Sequence, residues 1–226
     1  MNKVLVKART SNCPAFCFIE NNYIMSEGTV VFASEDFGLF AVLQSSIHEA
    51  WARKISSTLG IGLRYSSQHA FDTFPRPAPE KLLPIREHAE KLHELRSQIM
   101  KKEQIGLTDL YNNMHNHESD LEGMAELRAS HARLDELAAA AYGWEDLDMR
   151  HDFREVATLP KKDRLRHAIP EETRLEILRR LTELNRQRWE AEQQGAAERK
   201  GKKTGGRKRR GPATEQIALL AEGRDK

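Results

Sequence analysis

Cysteine is nearly absent: two residues among 226, Cys13 and Cys17, and they lie close together. Met1–Thr10 mixes Lys and Arg with single apolar residues and has no apolar core of signal-peptide length, so reduced thiols in the cytoplasm are expected rather than a disulfide. Two cysteines with no second closely spaced Cys or His pair of the standard kind also fall short of a zinc site, which takes about four ligands, and Cys13 and Cys17 are read as small core residues on a strand. Proline occurs eight times, never as Pro-Pro. An amino-methylating enzyme holds its flipped base with a carbonyl-and-proline tetrapeptide of the Asn-Pro-Pro-Tyr type, and none is present. The glycines sit at turns and near the end of the chain. None forms the glycine-rich loop that lets backbone approach a nucleotide or methyl-donor cofactor, and there is no Gly-x-Ser-x-Gly elbow or kinase motif set. Long apolar runs are missing too. The longest candidate, Leu137–Ala141, is far short of the roughly 20 residues that span a bilayer, so no membrane partner is expected.

What is present is charge, distributed unevenly. Residues 1–80 hold 7 basic and 7 acidic side chains, residues 81–160 hold 10 and 16, and residues 161–226 hold 19 and 11. The net charges are therefore 0, −6 and +8, and the end of the chain is the part most attractive to a polyanion. Arg199–Arg210 contains eight basic residues, three glycines and no acid. Such a segment cannot bury a core and reads as disordered, either a solvated run or a phosphate-binding tail.

The pattern predicts an α+β chain that is mostly α. Val4–Val6, Phe16–Ile19 and Thr29–Phe32 are β-prone runs with turn residues between them, too few for a sheet that stands alone. Ser34 is an expected N-cap for one helix whose apolar face is Phe37, Phe40, Leu43, Ile47, Trp51 and Ile55. Ser56–Tyr65, with Gly60 and Gly62, reads as a loop or turn. Phe74–Pro79 holds three prolines and reads as a linker. Three helical stripes follow: Ile85, Ala89, Leu92, Leu95 and Ile99; then Leu121, Met124, Leu127, Leu134, Ala138 and Ala141; then Leu175, Leu178, Leu181 and Leu184. Gly143 is expected to end the second helix. The resulting division is a partial β unit with one helix over 1–79, a helical domain over 80–195 and a basic tail over 196–226.

Candidate chemistry is thin. His115-Asn116-His117 has the residue types of a metal site, but a polar loop after a helix is the favoured reading. Asp146 and Asp148 lie near His151 and suggest a carboxylate–histidine pair, but no nucleophile or metal partner accompanies them and a solvated turn is the favoured reading.

Several strings are more particular than periodicity requires. They are Phe40–Arg53, Leu63–Ser66 followed by Phe71–Pro75, Gly106–Asn112, Leu134-Asp135 with Ala141–Leu147, and Leu184–Arg188. In order and spacing they resemble the carboxy-terminal region of MmeI-like restriction–modification enzymes. Those are large chains that combine a nuclease, an adenine-specific DNA methyltransferase and a target-recognition domain, with a helical domain at the end. The resemblance covers roughly residues 12–190. It implies double-stranded DNA as a partner and a role in restriction–modification or phage defence. It also implies S-adenosylmethionine as a cofactor bound not by this chain but by a methyltransferase and nuclease partner encoded upstream. The chain itself carries no catalytic motif and is expected to be non-catalytic.

By the same resemblance, the segment around Tyr65 approaches base edges, which makes Arg64, Ser66, Ser67 and Gln68 candidate DNA contacts. Arg can bond guanine bidentately and Ser hydroxyls can meet base or phosphate. The competing reading places Arg64 and Tyr65 in a strand packed on the helix of Trp51. Arg53 and Lys54 are phosphate-contact candidates, or simply favourable to the helix dipole. Lys208, Arg209 and Arg210 are phosphate candidates in the tail. The alternative for the whole chain is a helical interaction module, or a gene remnant, without DNA binding.

Overall fold

The protein is described here by a computed structural model over residues 1–205, apart from 14, 60–61, 157–158 and 160, with the side chains at 58–59, 162 and 196–205 also outside the description. The three β-prone runs form one antiparallel sheet. β1 (Lys3–Ala8) lies between β3 (Phe16–Glu20) and β4 (Thr29–Phe32). The segment of β1 does not stop at Ala8. After Arg9 it continues as β2 (Thr10–Ser11) in a second sheet of order β2-β6-β5, made with β5 (Ser57–Leu59) and β6 (Gly62–Arg64). A strand that bends and changes sheets forms a corner between them. Here the Arg9 carbonyl accepts from the Tyr65 amide at 2.8 Å, and the Arg9 amide donates to the Gly28 carbonyl at 2.8 Å. Ser56–Tyr65 is thus largely a hairpin rather than the loop or turn expected; Leu59, Ile61, Leu63 and Tyr65 alternate along its sequence, but Gly60 and Gly62 between them read as turn residues.

The single helix expected after residue 34 is two helices, α1 (Phe37–Gln44) and α2 (Ser46–Ile55). Ser45 divides them. Its hydroxyl donates to the Val42 carbonyl at 2.7 Å and accepts from the His48 amide at 3.4 Å, so one side chain closes the first helix and caps the second. Asp36, not Ser34, is the N-cap of α1, accepting from the Gly38 amide at 2.8 Å, while the Ser34 hydroxyl serves the Asp36 amide. Six of the eight α1 residues are buried, and α1 packs against α3 (Leu83–Glu103).

α3 follows a 3-10 turn at Pro79–Leu82, with Pro84 tolerated in its first turn because the missing N–H has no helical partner there. α4 (Leu107–Met114) and α5 (Met124–Tyr142) follow. Gly143 ends α5 in the left-handed region at φ 75°, as expected from the sequence. A second hairpin, β7 (Asp152–Glu155) with β8 (Leu165–Ala168), precedes α6 (Glu171–Gly205). The hairpin was not anticipated, since Asp-Phe-Arg-Glu and Leu-Arg-His-Ala carry too few apolar residues.

Residues 1–185 form one compact unit, and a second begins at Arg186. A single apolar core in the first unit contains Leu5, Phe16 and Phe32 from the strands, Phe40 and Trp51 from α1 and α2, and Leu92, Leu127 and Leu134 from α3 and α5. The third stripe holds in part: Leu181 is buried and Leu178 and Leu184 pack against the core, but Leu175 is 53% exposed and α6 buries Thr173 and Ile177 as well. The backbone of α6 remains helical to Gly205, so the first part of the expected tail is helix, and residues 206–226 lie outside the described residues. Among the described residues no helix is long and apolar enough to cross a membrane.

Two polar residues on the α5 stripe, His131 and Asp135, point inward with the apolar ones. Asp135 accepts from the Ser46 amide at 2.7 Å and pairs with His151 at 3.0 Å. The carboxylate that pairs with His151 is therefore neither Asp146 nor Asp148. Those two carboxylates are engaged by arginines: Asp146 by Arg180 at 2.5 Å and Asp148 by Arg150 at 2.7 Å.

Candidate nucleic-acid interface

Strand periodicity sorts the β2-β6-β5 sheet into an inner and an outer face. Leu63 is buried in the core, so its neighbour Arg64 faces outward and is exposed. Arg64 is opposite Thr10 on β2 and opposite Ser57 on β5, and both of these are exposed as well. Thr10, Arg64 and Ser57 therefore form a cross-strand row of hydrogen-bonding groups on the solvent face. The Arg64 guanidinium makes no ion pair or hydrogen bond among the described residues.

The backbone then turns inward for one residue. Tyr65 is 1% exposed, and its hydroxyl is 2.9 Å from His48 Nε2 on α2. Burial pushes the Tyr65 hydroxyl pKa well up and the His48 pKa down to about 3, with the charge of Lys7 adding to the effect on His48. The histidine is thus neutral and the tyrosine protonated, so a single proton bridges the two, on Tyr65 or on His48 Nε2 according to the histidine tautomer. This is the strand reading of Arg64 and Tyr65, combined with an outward Arg64. A single helical turn of π type, Ser67–Phe71, follows with Ser66 as its cap: the Ser66 hydroxyl accepts from the His69 amide at 3.3 Å. Ser66 and Ser67 are half-buried and Gln68 is exposed. Arg64, Ser66, Ser67 and Gln68 are therefore successive residues of one hairpin-and-turn segment that Tyr65 anchors.

The end of α2 contributes differently. Arg53 is already committed: Nε donates to Glu49 at 2.7 Å and Nη2 to the Asn12 carbonyl at 2.8 Å. It ties α2 to the turn after β2. Lys54 is exposed. The proposed tail contacts Lys208, Arg209 and Arg210 lie outside the described residues. Beneath the sheet corner is a residue the sequence reading did not single out. Lys7 is 1% exposed, donates to the Ser11 hydroxyl at 2.9 Å, and lies 5.3 Å from the Tyr65 ring centre. Burial, then the charge of Arg53, lowers its pKa to about 8. The available signal was a lysine on the inward phase of Leu5-Val6-Lys7, in a strand otherwise buried.

The geometry defines a small two-sheet β unit, cornered at Arg9 and buttressed by helices, with a polar hairpin and turn on its outer face. The comparisons agree with this unit. Residues 7–78 match the family model described as the target recognition domain of MmeI. A solved structure of MmeI, a Type IIL restriction-modification enzyme in complex with DNA, superposes with a TM-score of 0.56 at 21% identity over 82% of this chain. This chain spans 21% of that one, about a fifth of its length. The resemblance to MmeI-like enzymes drawn from the sequence strings thus holds, and over residues 7–78 it is a resemblance to their target-recognition domain. No curated protein matches the chain.

Proposed function

We propose that this chain is the DNA target-recognition and support portion of an MmeI-like adenine-specific DNA methyltransferase, non-catalytic by itself. The observation that carries this reading is the outward row of Thr10, Arg64 and Ser57, within the residues that match the target-recognition model. A free guanidinium on a rigid strand suits bidentate bonding to a guanine edge in the major groove. Ser66, Ser67 and Gln68 extend the same surface. Lys54, and Lys208, Arg209 and Arg210 in the tail, supply phosphate contacts, while Arg53 acts by holding α2. Residues 1–79 form the end of the recognition domain, and residues 80–195 are the helical domain that holds it. Methyl transfer with S-adenosylmethionine and cleavage belong to a partner chain or segment, in a cytoplasmic restriction or phage-defence setting.

Gel-shift titration at two salt concentrations, with and without the methyltransferase partner, tests this. Binding should weaken steeply with salt, since each phosphate contact releases counterions. Arg64→Ala should cost about 1–3 kcal/mol on the preferred sequence and relax discrimination there, whereas Lys54→Ala should weaken all sequences alike. A chain that shows no salt-dependent binding in either setting is a helical interaction module instead.

A further inference from the structure

The first compact unit encloses a cavity of about 280 Å³ that the recognition surface does not use. Its walls come from the turn after β2, α2, the end of α4, α5, the β7–β8 hairpin and the first turn of α6. Four histidines line it: His115, His131, His151 and His167. Among the described residues no three His, Cys, Asp or Glu side chains converge as metal ligands. The cavity is therefore defined by what its nitrogen atoms can donate.

Hydrogen-bond partners fix two of the histidines. His151 Nδ1 is 3.0 Å from the Met149 carbonyl and Nε2 is 3.0 Å from Asp135, so both nitrogens face acceptors and the ring is an imidazolium. Its charge is matched by Asp135. His131 Nε2 is 3.1 Å from the Tyr111 hydroxyl, which accepts from Arg96 at 3.0 Å. The arrangement that gives the Tyr111 proton an acceptor has it donating to His131, with the His131 proton on Nδ1.

Three further nitrogens of lining residues are buried without a hydrogen-bond partner among the described residues: His115 Nδ1, His167 Nδ1 and Arg154 Nε. The Arg154 nitrogen can only donate. Arg166 spends Nε and Nη2 on Asp163, and its Nη1 reaches only the Cys13 sulfur at 3.7 Å, a weak acceptor. The carboxylates of the walls are either engaged, with Glu49 on Arg53, Asp135 on His151 and Glu171 on Arg174, or exposed at the rim, as Glu155 and Glu172 are. Burial lowers the His115 pKa to about 3, and the neighbouring charges of Arg166 and Arg53 push the same way. The interior thus holds one unpartnered nitrogen that can only donate, Arg154 Nε, and two histidine nitrogens that donate in one tautomer, beside the charges of Arg166 and Arg53, and a buried donor without an acceptor is costly unless something accepts from it.

We propose that this cavity binds a small oxyanion, a free phosphate or a phosphomonoester, held by Arg154, Arg166, His115 and His167. The same chemistry exists in a DNA backbone phosphate, but the site is a cavity walled by six elements and the proposal commits to the free ion. The test is thermal unfolding of the full chain in inorganic phosphate, with chloride balancing the ionic strength and a short DNA duplex as a parallel arm. A ligand that binds only the folded state raises Tm in proportion to the logarithm of its concentration once above Kd. Phosphate should give that rise and acetate a smaller one. Arg154→Gln should abolish it, while Arg133→Gln on the exposed face of α5 should keep it. Because Arg154→Gln risks unfolding the hairpin, NMR of histidine-labelled wild-type protein supplies a second readout, in which the His115 and His167 ring nitrogens should shift saturably with phosphate. An equal Tm rise in chloride alone, an unchanged rise in Arg154→Gln, unmoved histidine signals, or competition between duplex and phosphate for the same signals would each overturn the proposal. None of these outcomes depends on whether the Arg64 surface binds DNA.

Discussion

Arg96 is 1% exposed and has no carboxylate partner within ion-pair distance among the described residues. Its guanidinium is held instead by neutral acceptors. Nη2 donates to the Phe16 carbonyl at 2.9 Å, Nη1 to Gln44 Oε1 at 3.2 Å and to the Tyr111 hydroxyl at 3.0 Å, and the plane lies 5.0 Å from the Phe40 ring centre. One side chain on α3 therefore bonds β3, α1 and α4 at once. Arg96→Met keeps the apolar stem but takes the side-chain donor from the buried Phe16 carbonyl and from the Tyr111 hydroxyl, at about 1–3 kcal/mol each, while Gln44 Oε1 keeps the Phe16 amide at 2.9 Å. A loss of about 2–5 kcal/mol in urea unfolding is expected, and Arg96→Lys should recover little of it, because a point charge cannot replace the planar fork. A loss under 1 kcal/mol would show that the network does not hold. The sequence did contain a trace of this residue. Ile85, Ala89, Leu92 and Ile99 are buried at steps of three and four, and Arg96 occupies the missing step. An arginine is read as surface by default, so the position was passed over. His131 and Asp135 were missed on α5 for the same reason, each falling on the buried phase of an otherwise apolar face.

At the scale of elements, the strongly periodic and capped segments were legible: β1, β3 and β4, the bodies of α3 and α5, and the glycine stop at Gly143. Elements whose cause is tertiary were not. The β7–β8 hairpin has no apolar alternation, and α6 has leucines on more than one face, so its pattern does not say which face is covered. The structure chooses Ile177 and Leu181, both fully buried, over Leu175. Ile177→Ala should therefore destabilise by about 2–5 kcal/mol and Leu175→Ala by less than about 0.5 kcal/mol. Equal effects in chemical unfolding would mean that α6 docks in another phase. The start of α5 gives a second case. Gly123 has φ 83°, and a Cβ there would lie 2.8 Å from Ile99 Cδ1. Gly123→Ala combines a left-handed backbone penalty of about 1–2 kcal/mol with a displaced core side chain, so a loss of at least that size is expected from the unfolding midpoint.

At the scale of the whole molecule, the buried histidines set how stability responds to acid. His48 and His115 are each held down to about 3, in both cases first by burial and then by neighbouring positive charge, and His131 is held well below 6.5 by burial and then Arg96. The unfolded chain binds these protons near pH 6.5 while the folded chain refuses them, so unfolding takes up protons throughout the interval below 6.5. Stability from these groups is therefore full above about pH 6.5 and falls as the pH drops toward their folded values. At pH 5 the loss is about 2 kcal/mol for His48 and about 2 kcal/mol for His115 by the linkage relation, with His131 acting in the same direction. His151 has the opposite sign. Burial opposes its charge, but the hydrogen bond and charge of Asp135 outweigh that and raise its pKa. Its contribution is present below 6.5 and lost as the pH rises through its folded value, so it does not offset the acid loss. Domains carry only about 5–15 kcal/mol in total, and a deficit of this size moves the urea midpoint visibly. Between pH 6.5 and 5 the unfolding free energy should fall with a slope of at least two protons, before the carboxylates titrate. His48→Gln, whose amide can accept from or donate to Tyr65, should remove about one proton from that slope. A flat profile across this interval would mean that the histidines are not buried as neutral rings, and with them would go the tautomers assigned to the cavity walls.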